Sequence, residues 1–227
     1  MKKFDHQLRA QNIREIAQET FDVLIVGGGI NGAGIARDAA MRGMKVALIE
    51  ANDFASGTSS RSSKLIHGGI RYLENLEFKL VFEALNERSL LFEIAPHLVH
   101  PLKFMIPLFK SSRVGMFKMG LGMWLYDLLA LFQAPEIHDR LSQRQTTLCQ
   151  PEVRNTDLIG SFTYFDAYMD DDRLVHETLR SASESGAKVV NYMKAIEYSF
   201  KDQTHSIKAQ DFFSGNIINI NTKHVVS

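Results

Sequence analysis

Residues Asp22–Glu50, DVLIVGGGINGAGIARDAAMRGMKVALIE, decide the fold. They read as a buried strand, a glycine turn, a helix and a second buried strand that ends in an acid. Val23, Leu24, Ile25 and Val26 form the continuous apolar run of a strand covered on both faces. Ile30, Ala33, Ala36, Ala39 and Ala40 give a small-residue stripe at helical spacing, and Gly43 is its natural stop. Val46–Ile49 is the second strand. Two parallel strands joined through one helix predict a right-handed βαβ unit.

The turn within this unit carries chemistry. Gly27, Gly29 and Gly32 stand in the order G-x-G-x-x-G, and Glu50 follows at the interval that a dinucleotide site requires. Gly27 lets the chain turn sharply off the strand. Gly29 has no Cβ to block a pyrophosphate, and Gly32 lets the helix lie close to the sheet. The helix that begins here points its free N–H groups and positive dipole end at that pyrophosphate. Glu50 can accept both hydroxyl hydrogens of an adenosine ribose, whereas a 2′-phosphate there would meet a carboxylate, which disfavours NADP. A βαβ turn that binds nothing leaves Glu50 at this place unexplained.

The chain has 227 residues, enough for one large domain or two intimate ones. Its 26 basic and 26 acidic residues balance, so no global charge argues for nucleic acid. Cys149 is the single cysteine, which leaves no disulfide framework and no cysteine-based metal site. The histidines show no metal-ligand spacing with acids, so no metal is expected. The first 22 residues lack the apolar core of a signal peptide, and a cytoplasmic setting is the default expectation. Leu8, Ile13 and Ile16 suggest a short amphipathic helix there. The most apolar stretch, Met119–Phe132, is too short for a bilayer span of ~20 residues and is interrupted by Asp127. Its physics favours a core-facing helix, while Trp124, Tyr126 and the nearby Arg113 and Lys118 keep an interfacial, membrane-lying helix in view.

After Glu50 comes ANDFASGTSSRSSKLIHGGIRYLE, with Ser56, Thr58, Ser59, Ser60, Ser62 and Ser63 close together. A solvated polar loop is the common fate of such composition. Here, however, it runs at once into Leu65, Ile66, His67-Gly68-Gly69 and Arg71-Tyr72. A Gly-Gly pair lets the main chain approach a flat ring, and the serines with Lys64 can donate to a pyrophosphate and a polyol arm. Such a loop suits a flavin better than a nicotinamide cofactor.

Gly27–Gly34, the block Ser56–Glu74, FEALNERSLLFEIAPHLVHP at residues 82–101 and YFDAYMDDDRLV at residues 164–175 together resemble the FAD-dependent glycerol-3-phosphate dehydrogenases. The block SGTSSRSSKLIHGG, an apolar residue and RYL stands intact as Ser56–Leu73, and the resemblance covers nearly everything after the N-terminal extension. It implies an α/β fold: a Rossmann-like FAD-binding domain of the D-amino-acid-oxidase-like flavoprotein superfamily, with an interleaved α+β substrate or cap domain, C-terminally incomplete. It further implies FAD as cofactor and oxidation of sn-glycerol 3-phosphate to dihydroxyacetone phosphate with a quinone as electron acceptor. Peripheral association with the inner face of a membrane and homodimer formation are compatible with it. A glycerol-3-phosphate oxidase using oxygen, and a non-catalytic FAD-binding piece, are the alternatives.

The cofactor-contacting residues expected on this basis are Gly27, Gly29, Ile30, Asn31, Gly32, Glu50, Thr58, Ser59, Ser63, Lys64, Leu65, His67, Gly68 and Ala195. Ala195 enters because in related flavoproteins the end of that strand lies against the adenine. The resemblance places Arg71 and Tyr72 at the substrate pocket, where a guanidinium can grip a phosphate or polarised oxygen with two parallel donors. Histidines titrate near neutrality, so His67 is a candidate base, although hydrogen bonding to the flavin is the preferred role.

Four segments are expected: an N-terminal helical extension (1–20), a first part of the FAD domain (21–92), a substrate or cap segment (93–162) and a second part of the FAD domain (163–227). Asp170, Asp171 and Asp172 should open a helix that reaches Gly186, with the acids serving its N-terminus. KVVNYMKAIEYSF reads as one strand, followed by a small β-meander and, at KHVVS, a strand returning to the sheet. In the family more protein follows that strand. The chain therefore reads as an N-terminal portion that binds flavin weakly or not at all and does not catalyse alone.

Overall fold

A computed structural model describes residues 4–227; residues 1–3 of the expected N-terminal extension lie outside the described residues. Along the chain run α1 (His6–Ile16), β1 (Thr20–Val26), α2 (Ile30–Met41), β2 (Val46–Ile49), β3 (Leu65–Ile66) and α3 (Phe78–Ile94). There follow β4 (Val99–Phe109), α4 (Met116–Leu129), β5 (Asp139–Ser142), α5 (Gln143–Cys149) and β6 (Leu158–Met169). The last elements are α6 (Asp171–Glu184), β7 (Lys188–Val190), β8 (Met193–Lys201), β9 (Thr204–Asp211) and β10 (Ile217–Val226). They form two compact units, one made of the chain up to Ser63 together with Asp171–Ser227, the other of Lys64–Asp170.

In the first unit six strands form one sheet in the order β7-β2-β1-β10-β9-β8. β7, β2, β1 and β10 run parallel to one another, while β10, β9 and β8 are an antiparallel meander. Alternate residues of β2 enter opposite cores: Val46 and Leu48 join the alanine face of α2 with Val175 and Leu179 of α6, whereas Ala47 and Ile49 join Ile16, Ile207 and Ile220. Burial on both faces is why these strands are apolar without alternation. The alanines at 33, 36, 39 and 40 are buried, and Ile30 at the head of the stripe is exposed instead, because it sits at the open helix end.

Two strand expectations are corrected. KVVNYMKAIEYSF is two strands, because Tyr192 adopts φ 51° and breaks the run between β7 and β8. A positive φ at a bulky residue redirects the chain, here from a parallel pairing with β2 to an antiparallel one with β9. Conversely, NIINI and KHVV are one strand: β10 pairs with β9 through Ile217–Thr222 and with β1 through Asn221–Val226.

In the second unit β6 pairs with β4 along its length, and β3 and β5 also pair with β6, all antiparallel. Val81 and Leu85 of α3, Met123, Tyr126 and Ala130 of α4, and Leu108, Phe162 and Tyr164 of the strands form its core. The units change at 63/64 and 170/171 rather than at the expected 92/93 and 162/163. α3 buries its apolar side in the second core, and β6 continues to Met169.

α4 has two apolar sides. Met123 and Tyr126 are buried, while Phe117, Leu121, Trp124 and Leu128, spaced along one helix face, are exposed. Asp127, which interrupts the apolar run in sequence, is turned inward and accepts from the backbone N–H of His138 at 3.2 Å and pairs with its Nδ1 at 2.6 Å. Among the described residues no helix is long and apolar enough to cross a membrane.

Candidate functional site

The glycine turn of the first unit is closed by its own backbone and by Ile49, Glu50, Phe54 and Ser59, which return to it from beyond α2. The Gly27 N–H donates to the Ile49 carbonyl at 2.8 Å, and Gly27 has φ 127°, a conformation that L side chains rarely adopt. A Cβ on Gly32 would collide with the Gly27 carbonyl oxygen, so the third glycine is fixed by backbone against backbone. Gly28, to which the motif gives no role, is as constrained: its Cβ would lie 2.7 Å from Phe54 Cδ1 and 2.9 Å from Glu50 Cβ. That crowding is invisible in the motif because it depends on where Phe54 returns.

Glu50 is held before any ligand arrives. Its Oε2 accepts from the Gly28 N–H at 2.7 Å and its Oε1 from the Asn52 N–H at 2.8 Å. A carboxylate has about four acceptor positions, so these two bonds leave each oxygen capacity for a further donor. Ser59 comes back over the start of α2, where its hydroxyl accepts from the Ile30 N–H at 3.0 Å, with Thr58 in the same 3-10 turn. Asn31 is exposed in the first turn of α2. This combination fits an adenine dinucleotide: a crowded glycine cradle, a helix start and a preoriented carboxylate.

Other loop residues have different fates. The Ser62 hydroxyl donates to Asp171 Oδ2 at 2.6 Å, so that serine is tied to the start of α6. Asp171 and Asp172 also accept from the backbone N–H groups of Asp172 and Arg173 there. Ser63 and Lys64 are exposed. Ala195 lies opposite Ala209 in β8. The residues that meet the Glu50 turn come earlier: Met193 N–H donates to the Glu50 carbonyl at 2.8 Å and Tyr192 N–H to the Asn52 carbonyl at 2.9 Å.

In the second unit a cavity of about 370 Å³ is lined by Leu65, His67, Gly69, Arg71 and Tyr72, together with Phe104, Tyr164 and Asp166. Gly69 is left-handed at φ 67°, and a Cβ there would lie 2.7 Å from Tyr72 Cε2. The chain then makes a 3-10 turn, Ile70–Leu73, that carries Arg71 and Tyr72, both exposed. Gly68 is buried beneath, with its N–H donating to the Tyr126 hydroxyl at 3.0 Å. Burial first, then the neighbouring Asp166 charge, pushes the Tyr164 phenol up to about 12, so it remains a hydrogen-bond donor at neutral pH. A second, more apolar groove of about 550 Å³ lies along Ile70, Leu73, Ile106, Met119, Leu121 and Leu125, with Arg71 and Lys118 also lining it. Phe104, Tyr164 and Asp166 escape sequence reasoning because β4 and β6 bring them in from far along the chain.

Comparisons with known proteins agree with this geometry. The family described as FAD dependent oxidoreductase matches residues 22–218. The chain is 42% identical over 216 residues to the aerobic glycerol-3-phosphate dehydrogenase of Staphylococcus haemolyticus, covering 94% of this chain and 39% of that protein. It is 39% identical over 221 residues to the enzyme of the same name from Staphylococcus saprophyticus, covering 96% of this chain and 40% of that protein. The chain thus spans about 40% of the length of these relatives. Among solved structures, the glycerol-3-phosphate dehydrogenase from Bacillus halodurans complexed with FAD superimposes with a TM-score of 0.74 at 32% identity, covering 98% of this chain and 37% of that one. L-proline dehydrogenase from P. horikoshii shares the fold at a TM-score of 0.67 and 16% identity, covering 91% of this chain and 52% of that one. The architecture is the Rossmann-like FAD-binding fold of the D-amino-acid-oxidase-like flavoproteins. With its glycine cradle, its preoriented acid and a family match that runs from Asp22 to Ile218, the chain belongs to the FAD dependent oxidoreductase family.

Proposed function

We propose that these residues hold FAD and form part of the substrate site of a glycerol-3-phosphate dehydrogenase. The observation that carries this reading is the cavity in which His67, Arg71 and Tyr72 converge beside Tyr164. Gly27, Gly29, Ile30, Asn31 and Gly32 would hold the pyrophosphate, Glu50 the ribose, and Thr58, Ser59, Ser63, Lys64 and Leu65 the linking arm. When bound, FAD supplies the acceptor for the hydride of the carbinol carbon. Arg71 binds the phosphate or the reacting oxygen through paired charge-assisted donors. Tyr72 and Tyr164 orient the polyol with their hydroxyls, and His67 hydrogen-bonds at the ring in preference to abstracting the hydroxyl proton. Ala195 stays a main-chain candidate for the adenine, joined by Tyr192 and Met193 on the strength of their bonds to the Glu50 turn.

The apolar groove beside Arg71 supports a quinone over oxygen as the electron acceptor. The exposed Phe117, Leu121, Trp124 and Leu128 face, with Lys118 nearby, supports peripheral membrane association.

The test is anaerobic. FAD is added to a purified full-length protein that contains these residues, and the absorbance of bound flavin is followed as sn-glycerol 3-phosphate is added. Bleaching by glycerol 3-phosphate but not by glycerol is expected, with reoxidation faster by a quinone analogue than by air. Arg71→Met should keep FAD while slowing bleaching about tenfold or more, the loss of a charged hydrogen-bonded contact. Bleaching by an amino acid, or a full-length protein that takes up no FAD at any concentration, defeats the reading.

A further inference from the structure

Side chains from two elements of the second unit meet one backbone N–H, and a third, from α3, holds one of them in place. Tyr126 of α4 donates its hydroxyl to Asp166 Oδ1 of β6 at 2.8 Å. Arg88 of α3 donates through Nη1 to the same Oδ1 at 2.6 Å and to the Phe165 carbonyl at 2.8 Å. The Gly68 N–H then donates to the Tyr126 hydroxyl at 3.0 Å and, more distantly, to Asp166 Oδ1 at 3.4 Å. Arg88 is 0% and Asp166 3% exposed. The packing is as tight as the bonding, since a Cβ on Gly68 would lie 2.6 Å from Leu85 Cγ and 2.7 Å from the Tyr126 hydroxyl.

This is a costly way to fill a core. Arg88 Nε and Nη2 are buried with no hydrogen-bond partner, and a buried ion pair is often no more stabilising than apolar side chains of the same volume. A core selected for packing alone has no use for it. Its geometric effect is specific: it fixes the height and direction of the Gly68 peptide, one residue before the left-handed Gly69 and three before Arg71.

We infer that Arg88, Asp166 and Tyr126 are positioning residues, a latch that sets the Gly68 turn and through it the place of His67, Arg71 and Tyr72. The consequence for cofactor and substrate rests on the reading of that cavity given above. The latch itself rests only on the convergence at Gly68.

Amide hydrogen exchange in the 227-residue chain tests it directly. In the unaltered chain the Gly68 amide should exchange as slowly as the paired amides of β4 and β6, although it lies in a loop. If it exchanges as fast as Gly69 and Ile70, the latch does not exist, and this comparison needs no variant to fold. Tyr126→Phe keeps the ring and removes the hydroxyl. It should speed exchange at Gly68 about tenfold, the equivalent of one hydrogen bond, while β4 and β6 amides stay within about twofold. Unchanged exchange, or an equal rise across the whole second unit, overturns the inference. FAD fluorescence is read in the FAD-loaded full-length protein that carries the same substitution and should change with Tyr126→Phe. A Gly68-specific rise with no change in the flavin signal supports the latch and removes the cofactor reading of the His67–Tyr72 turn instead.

Discussion

The two glycine turns of this protein are made rigid by opposite means. The turn at Gly27–Gly32 is shaped by its own backbone: a positive φ at Gly27, and Gly32 against the Gly27 carbonyl. The turn at Gly68–Gly69 is shaped by side chains that arrive from α3, α4 and β6, with Leu85, Arg88, Tyr126 and Asp166 closing around one peptide. A turn of the first kind is completed within the βαβ unit and the loop that follows it. The second exists only when its whole unit has folded.

The comparison is broken most directly at Gly32. Gly32→Ala should cost about 3 kcal/mol or more, the upper range for overpacking, because the obstacle is main chain that cannot rotate away. Thermal unfolding should show it, and no second substitution in a side chain should restore stability. Gly68→Ala should cost about 1–3 kcal/mol, and here rescue is expected. Leu85→Ala opens the space that the new methyl needs, so the double variant should be more stable than the sum of the single effects. A strictly additive cycle would mean that Leu85 is not what crowds the second turn and leaves the Tyr126 hydroxyl as its obstacle. The smallest effect is at Glu50. Glu50→Gln leaves one acceptor oxygen for two N–H donors, at a cost of about 1 kcal/mol in unfolding, and it should weaken FAD uptake in a fluorescence titration more than it weakens the fold.

The same contrast explains what the sequence disclosed. The βαβ unit, its alanine stripe and the acid at its end were legible because period, glycine spacing and interval all lie within 29 residues. The role of Gly28 was not, since it depends on Phe54 packing back onto the turn. The break at Tyr192 was hidden because an apolar, β-prone run carries no mark of a single residue turned to positive φ. Arg88, Tyr126 and Asp166 lie 38 and 40 residues apart, and each satisfies an unremarkable local pattern: a helix polar position, an aromatic in an apolar helix, an acid in a strand. Asp127 misled in the other direction. It reads as an interruption of the apolar helix, yet it is turned inward to His138 and leaves the outer side of α4 uncharged at that level.

The bond between Ser62 and Asp171 has a further meaning. Those two residues bracket the whole second unit, so β1 must find β10 across an insertion of more than a hundred residues. Closing so large a loop is entropically unfavourable and slow when the intervening chain is loose. Once Lys64–Asp170 has folded, its ends are already side by side, and the search becomes that of a much shorter chain. The second unit should therefore gain exchange protection before the β1–β10 pairing does in a pulse-labelling refolding experiment, and simultaneous protection would count against this order. During synthesis the cofactor cradle would then close after the second unit, although its glycines leave the ribosome earlier.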